Sequence, residues 1–136
     1  MSNKKVIRDF FKYGYNEHNY DKVREILANN YFDHSPAAAR NPEDAIVVLR
    51  ILENAFNEIE VKIHDLIEEG ELIAGRFLFT GIHAGGYMDI KPSFHYVEWE
   101  FLENFRIQDG VISESWGYWP DLEIRNLLLS LQRSRV

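Results

Sequence analysis

The hydrophobic period of the chain changes at Glu58, and this change restricts the fold more than any other feature. Beyond Glu58, apolar and polar residues alternate, as they do in strands that bury one face. Turn signals at residues 69–71 and at the Asp109-Gly110 pair divide this region. The predicted strands begin at Glu58 and then cover residues 72–83, 93–107 and 111–119. The second half of the chain is therefore predicted to be an antiparallel meander.

Helical patterns lie on both sides of the meander. Residues 3–15 carry apolar side chains at helical spacing, and Asp21 is suited to cap a second, short helix. Asn41 and Pro42 predict the start of a third helix, since Asn is a good cap and Pro fits the first turn. Residues 122–131 are predicted to form a C-terminal helix. This order predicts an α+β protein whose helices pack on one face of a curved sheet.

Composition excludes several classes of function. The 136 residues predict a single domain, residues 1–136, with 46% hydrophobic and 27% charged residues. A net charge of −7 argues against nucleic acid or an anionic membrane as partner. The absence of cysteine excludes disulfides, thiolate metal sites and a cysteine nucleophile. No stretch is long and apolar enough to span a membrane, so we expect a cytoplasmic protein.

Asp121 follows the aromatic segment 116–120, which reads WGYWP. Burial beside indoles would raise the pKa of this carboxyl towards values useful for proton transfer, so Asp121 is a candidate general base. Its position before residues 122–131 also suits an N-cap of the last helix. Both roles stay open from the sequence, although a strong capping bond would lower the pKa and oppose the base role.

Two histidines are candidates for hydrogen bonds to a substrate oxygen. His34 lies in an irregular segment and His83 at a strand end beside a glycine pair. Either could instead be a structural side chain. The histidines show none of the short spacings of known metal sites, so no metal is expected.

Several large side chains are candidate walls of a pocket, although each could equally belong to the core. They are Trp99, Trp116, Trp119, Tyr87 and Phe94. Arg76 lies within a strand, and it could bind an anionic group or pair with Glu98 or Glu100 across the sheet.

A series of short motifs follows in a characteristic order. They are Tyr31-Phe32-Asp33-His34-Ser35-Pro36, Asp65-Leu66-Ile67-Glu68-Glu69-Gly70, Gly75-Arg76-Phe77, Thr80-Gly81-Ile82-His83, Ile90-Lys91-Pro92-Ser93, Phe105-Arg106-Ile107-Gln108-Asp109-Gly110 and Ser115-Trp116 with Asp121. In this order they resemble the SnoaL-like polyketide cyclase (ester cyclase) family of the nuclear transport factor 2-like superfamily. The resemblance extends from about Ile7 to Leu128.

The resemblance implies a cone-shaped α+β barrel: a strongly curved, six-stranded, mostly antiparallel sheet wrapped by about three helices, plus a C-terminal helix. It implies that Asp121 is a general acid/base for an intramolecular aldol ring closure of a polyketide ester, without metal or organic cofactor. It also implies a homodimer. The sequence departs from the family at Ser115, where His is frequent, and at Phe94, where Gly is frequent.

The leading hypothesis is therefore a cofactor-free cyclase or related proton-transfer enzyme acting on a small hydrophobic carbonyl compound. In it, Asp121 abstracts the proton while His34 and His83 hold the enolate oxygen. The alternative is a non-catalytic module that binds a small apolar ligand or a protein, since one fold supports unrelated functions. A hydrolase or isomerase on the same cone is a third option.

Overall fold

The computed structural model describes residues 2–133, with the side chains of residues 2–132. The elements are α1 (Asn3–Phe10), a π-helical segment (Phe11–Asn16), α2 (Tyr20–Ile26), β1 (Leu27–Asp33), α3 (Pro42–Ala55), β2 (Phe56–Glu69), β3 (Leu72–His83), β4 (Tyr96–Gln108), β5 (Val111–Tyr118) and α4 (Asp121–Arg133). The helices, the four-strand meander and the C-terminal helix thus occur in the predicted order.

The strands form one open sheet in the order β1-β5-β4-β3-β2. Strand β1 lies parallel to β5, and all the other pairs are antiparallel, which confirms the α+β class and the mostly antiparallel sheet. The expectation of six strands was wrong for the described residues, which form five. The chain between β3 and β4 adds no strand because Met88, Asp89 and Phe94 have φ angles of 51°, 60° and 59°. Such angles interrupt an extended chain, so β4 starts at Tyr96.

Side-chain caps fix where the helices begin. The Asn41 side chain accepts a hydrogen bond from the backbone N–H of Asp44 at 2.8 Å, so the predicted start of α3 is confirmed. For α2 the predicted cap was wrong: Asn19 accepts from the backbone N–H of Lys22 at 3.3 Å, and Asp21 lies inside the first turn. A carboxylate there is still favourable, because the N-terminus of a helix carries partial positive charge.

Aromatic rings fill the space between the helices and the inner face of the sheet, the face that packs against the helices. Phe11 of the π-helical segment contacts Phe77 of β3, with ring centroids 4.4 Å apart. Phe77 stacks on Phe101 of β4 at 5.1 Å, and Phe105 lies edge-on to Phe11. All four rings are buried, and burying each contributes roughly 1.5–3 kcal/mol. This cluster therefore holds the N-terminal helices against the sheet.

No helix within residues 2–133 is long and apolar enough to cross a membrane. The cytoplasmic location stays a prediction.

The loop after β3 passes so close to the end of α3 that only glycine fits at one position. A Cβ on Gly85 would lie 2.1 Å from the backbone oxygen of Asn54, whereas a Cβ on Gly86 would meet nothing closer than 3.9 Å. The Gly85 N–H also donates to the Ala55 oxygen at 3.0 Å, which fixes this approach.

We expect Gly85→Ala to lower the free energy of unfolding by roughly 1–3 kcal/mol, because the backbone must move away from Asn54. The matched variant Gly86→Ala is expected to change it by less than about 0.5 kcal/mol. Urea unfolding followed by circular dichroism measures both values. Equal effects of the two substitutions would contradict the close approach.

Candidate active site

A cavity of about 250 Å³ lies between the helices, the loop after β1 and the inner face of β4 and β5. Its wall is made by Tyr15, Asp33, Ser35, Pro36, Ala37, Val48, Ile51, Leu52, Tyr87, Glu103, Gly117, Tyr118, Trp119 and Asp121. Three of these side chains are carboxylic acids and none is a lysine, arginine or histidine. The cavity is therefore suited to a neutral ligand with an apolar part.

Glu103 occupies a position where the pattern of β4 calls for an apolar residue. Alternate residues of β4 are buried on the inner face, and they are Val97, Trp99, Phe101, Glu103, Phe105 and Ile107. Glu103 is paired across the sheet with Gly117 of β5. A Cβ on Gly117 would lie 3.1 Å from Cδ of Glu103, so the absence of a side chain there makes room for the carboxyl group.

The environment of Glu103 keeps it protonated at neutral pH. Burial raises the pKa of this carboxyl, the nearby charge of Asp33 adds to the effect, and the resulting pKa is about 8. A hydrogen bond with Ser115 acts in the opposite direction but is the smallest of the three contributions. Glu103 is therefore mainly a neutral carboxylic acid near pH 7.

Asp33 lies at the end of β1, where the parallel pairing places it opposite Ser115 of β5. Its oxygens accept hydrogen bonds from the backbone N–H and the hydroxyl of Ser35, at 2.8 and 2.7 Å. The Ser115 hydroxyl lies 3.4 Å from Oδ1 of Asp33. These contacts hold the Asp33 carboxylate in place beside Glu103.

Tyr15 and Tyr87 line the cavity, and Tyr31 is buried beside Ser115. The hydroxyl groups of Tyr31 and Ser115 are 2.5 Å apart in a buried hydrogen bond. Burial, assisted by neighbouring carboxylates, raises the pKa of Tyr31 and of Tyr15 well above the usual value. Burial also raises the pKa of Tyr87 to about 12, with a contribution from Asp121. All three tyrosines thus remain protonated at neutral pH.

Asp121 lies at the cavity, as the sequence suggested, but it is exposed. The expectation that the aromatic segment would bury it was wrong, because Trp119 turns inwards while Asp121 begins α4 at the surface. The first turn of α4 is closed by the Ile124 N–H bonding to the backbone oxygen of Pro120 at 2.9 Å. Among the described residues, no backbone N–H donates to the Asp121 carboxylate. Its oxygens thus remain available to the cavity.

His34 and Trp116 lie outside the cavity. Their rings stack at 4.7 Å with an angle of 3°, and His34 Nε2 lies 2.7 Å from a carboxylate oxygen of Glu114. Because side chains alternate along β5, Ser115 and Gly117 face inwards while Glu114 and Trp116 face outwards. The expectation that His34 and Trp116 lie at the pocket was therefore wrong.

His83 is buried in the core and does not line the cavity. Its Nδ1 accepts a hydrogen bond from the backbone N–H of Ser93 at 3.3 Å, and the ring also has a hydrogen bond with the backbone of Gly85. Burial lowers the pKa of His83, so the ring is neutral near pH 7. We assign it a structural role.

Some of the side chains expected to form the pocket wall line the cavity and others do not. Trp119 and Tyr87 do line the cavity. Trp99 stacks on Phe79 at 4.7 Å within the core, and Phe94 is 59% exposed, so neither lies at the cavity.

Arg76 also lies away from the cavity, on the outer face of the sheet. It pairs with Asp65 at 2.8 Å and with Glu100 at 2.6 Å. The predicted cross-strand pair with Glu100 is confirmed, and Glu98 is not its partner. Arg76 therefore serves the sheet and does not bind a ligand in the cavity.

The sequence reasoning missed Glu103, Asp33, Tyr15, Tyr31 and Ser115. One signal was available: Glu103 is the only acid in the buried alternate positions of β4. The others could not be found this way, because tertiary structure brings them together from distant parts of the chain. Within the described residues, no group of three or more metal-ligating side chains is arranged to hold a metal ion.

The helices and the sheet form an α+β cone, the fold of the nuclear transport factor 2-like class, with a cavity between helices and sheet. The chain belongs to the SnoaL-like polyketide cyclase family, whose model matches residues 5–126. A search of curated proteins found no match.

Three solved structures show the same fold at low sequence identity. TsrD from Streptomyces laurentii is 22% identical, with a TM-score of 0.84 and 92% of each chain covered. IdmH from Streptomyces antibioticus, described as a candidate polyketide cyclase, is 21% identical, with a TM-score of 0.84 over 96% of this chain and 99% of its own. AclR from Streptomyces galilaeus, described as a candidate hydroxylase, is 20% identical, with a TM-score of 0.81 and 96% of each chain covered. These likenesses establish the fold and leave the reaction to be argued from the site.

The proton on Glu103 links stability to pH. The folded pKa of about 8 lies above the usual 4.5, so between these values the folded state keeps a proton that the unfolded state releases. The stabilising contribution of Glu103 to the free energy of unfolding is fully present below pH 4.5 and is lost as pH rises towards 8. Because Gln carries no such proton, we expect Glu103→Gln to gain stability relative to the unmodified protein over this range, by roughly 4 kcal/mol.

Urea unfolding at pH 4.5 and pH 8 measures this difference. The control is Glu98→Gln, a substitution on the exposed side of the same strand, which should change little between the two conditions. If Glu103→Gln and Glu98→Gln changed stability equally between the two pH values, Glu103 would be ionised in the folded protein.

Proposed function

We propose that this protein is a cofactor-free proton-transfer enzyme that acts on a neutral, partly apolar carbonyl compound, as in a cyclase that closes a ring by intramolecular aldol addition. One observation carries the proposal: Asp33, Glu103 and Asp121 open onto a single cavity, and they differ in their surroundings. Carboxyl groups in unlike environments can serve as base and as acid at the same pH.

Asp121 is the proposed base. Ser35 donates two hydrogen bonds to the Asp33 carboxylate, whereas that of Asp121 accepts none from a described residue. In the proposed reaction, Asp121 takes a proton from the carbon beside a carbonyl, and the C–H electron pair forms an enolate. The enolate carbon then attacks a second carbonyl of the same molecule, and the new alkoxide receives the proton. A well-placed base contributes roughly 10²–10⁴-fold to such a step.

The wall of the cavity supports the choice of substrate. Leu52 and Trp119 offer apolar surface, while Tyr15 and Tyr87 offer hydroxyl groups. A cavity without polar groups near Asp121 would have favoured a module that only binds an apolar ligand. The acids and tyrosines found there favour the enzyme. The homodimer stays a prediction.

The base is tested with 2-tetralone, a bicyclic ketone whose α-protons exchange for deuterium when a base removes them. We expect the protein to accelerate exchange over buffer, measured by proton NMR in deuterated water. Asp121→Asn should lower this acceleration at least about tenfold, since the amide cannot accept the proton. Glu123→Gln removes a charge from the same exposed helical turn and should leave it unchanged.

Two results would refute the assignment. The first is a rate equal to buffer with the unmodified protein, and the second is full activity in Asp121→Asn. Circular dichroism of each variant confirms that the compared proteins are folded.

A further inference from the structure

We propose that Glu103 binds the substrate's carbonyl oxygen as a neutral carboxylic acid, donating its own O–H into the cavity while the charge of Asp33 holds the proton in place. The inference rests on the proposed function and assigns the group that stabilises the enolate oxygen. It also explains why an acid stands among the apolar side chains of β4.

The position of Glu103 meets the geometric requirement. The side chain belongs to the cavity wall, yet the residue is only 9% exposed. Gly117 on the neighbouring strand leaves the carboxyl group its space, with contacts of 3.1 to 3.4 Å to a Cβ placed there. No cation among the described residues pairs with it, so proton binding is its only route to a low-energy buried state.

The surrounding hydrogen bonds allow the Glu103 proton to face a ligand. Tyr31 and Ser115 share a hydrogen bond, and when Tyr31 is the donor, the Ser115 hydroxyl can donate to a carboxyl oxygen of Glu103. In that arrangement the O–H of the neutral acid is left for a ligand.

The Glu103 O–H acts during proton removal from the substrate. Proton removal moves negative charge onto the carbonyl oxygen, and a donor already aimed at that oxygen stabilises the charge without reorganising. The bond is stronger in a cavity with little water than in solution. Once ionised, Glu103 would lose the donor and repel the oxygen, so carbonyl binding should weaken as pH rises through its pKa.

Other ionisable side chains face Glu103 from several elements of the fold. Asp33 and Tyr31 come from β1, Tyr15 from the π-helical segment, and Tyr87 and Asp121 from across the cavity. Burial raises the pKa of each tyrosine, which keeps them protonated while Glu103 titrates.

The test uses 4-(dimethylamino)benzaldehyde, a neutral aromatic aldehyde without an α-proton. It cannot be enolised, so it reports hydrogen bonding and not turnover, and its absorption band moves to longer wavelength when the carbonyl accepts a hydrogen bond. We expect the Kd of the unmodified protein to rise about tenfold between about pH 6 and about pH 10, with loss of the red shift.

Two variants separate the donor from the charge. Glu103→Gln keeps a neutral donor, so its Kd and red shift should not change with pH. Glu103→Met has a similar size without a donor, so it should bind weakly and without the shift at every pH. Glu98→Gln, on the outer face of β4, should behave like the unmodified protein. If the Met variant does not fold, the comparison with the Gln variant still decides.

Binding that does not vary with pH in the unmodified protein would overturn the inference. So would a Glu103→Gln variant that keeps the pH dependence, because another group would then be titrating. Deuterium exchange without pH-dependent aldehyde binding would remove Glu103 and leave the proposed function. The reverse result would remove the function and keep Glu103 as the carbonyl-binding group.

Discussion

The cavity depends on one constraint: a carboxyl group is buried on a sheet face that otherwise packs aromatic rings. Strand β4 places Glu103 between Phe101 and Phe105, because every second side chain points inwards. An unpaired carboxylate in that position would cost several kcal/mol, which is a large part of the stability of a small domain. The fold avoids this cost by holding the group as a neutral acid. Stability and the chemical state of the site are thus coupled through one proton.

The cavity exists because the helices cover only part of the inner face. The π-helical segment brings Phe11 onto Phe77, and aromatic rings fill this part of the inner face. Nearer α4, the parallel pairing of β1 with β5 places Asp33 opposite Ser115. Polar groups that would be unsatisfied in a filled core find partners in one another there. The same side chains that stop the core from closing are therefore those to which we assign the proposed chemistry.

Much of the fold could be predicted from local patterns, and much of the site could not. The two-residue period beyond Glu58 and the Asn41 cap are signals within a few residues of sequence. The meander and the start of α3 could therefore be predicted. Asp121 lines the cavity at the start of α4, and its place just after β5 does not depend on which face the neighbouring side chains take. His34 was misplaced because its direction depends on strand parity and on the pairing of β1 with β5. That pairing joins distant parts of the chain, and no local pattern encodes it.

The charge of the cavity restricts the class of substrate, which the fold of the family alone does not determine. Candidate cyclases and a candidate hydroxylase share this architecture, so shape does not select the reaction. Asp33 and Asp121 make the cavity acidic, and no basic side chain in its wall offsets them. A substrate that carries a carboxylate would meet repulsion from both, whereas an ester or ketone would meet a neutral acid and tyrosine hydroxyl groups. In the proposed reaction, negative charge develops on the substrate oxygen beside Glu103, and Asp121 becomes neutral as it takes the proton. Proton transfer to Asp121 and charge development beside Glu103 are thus expected to occur together, because either event alone would leave the cavity electrostatically unbalanced.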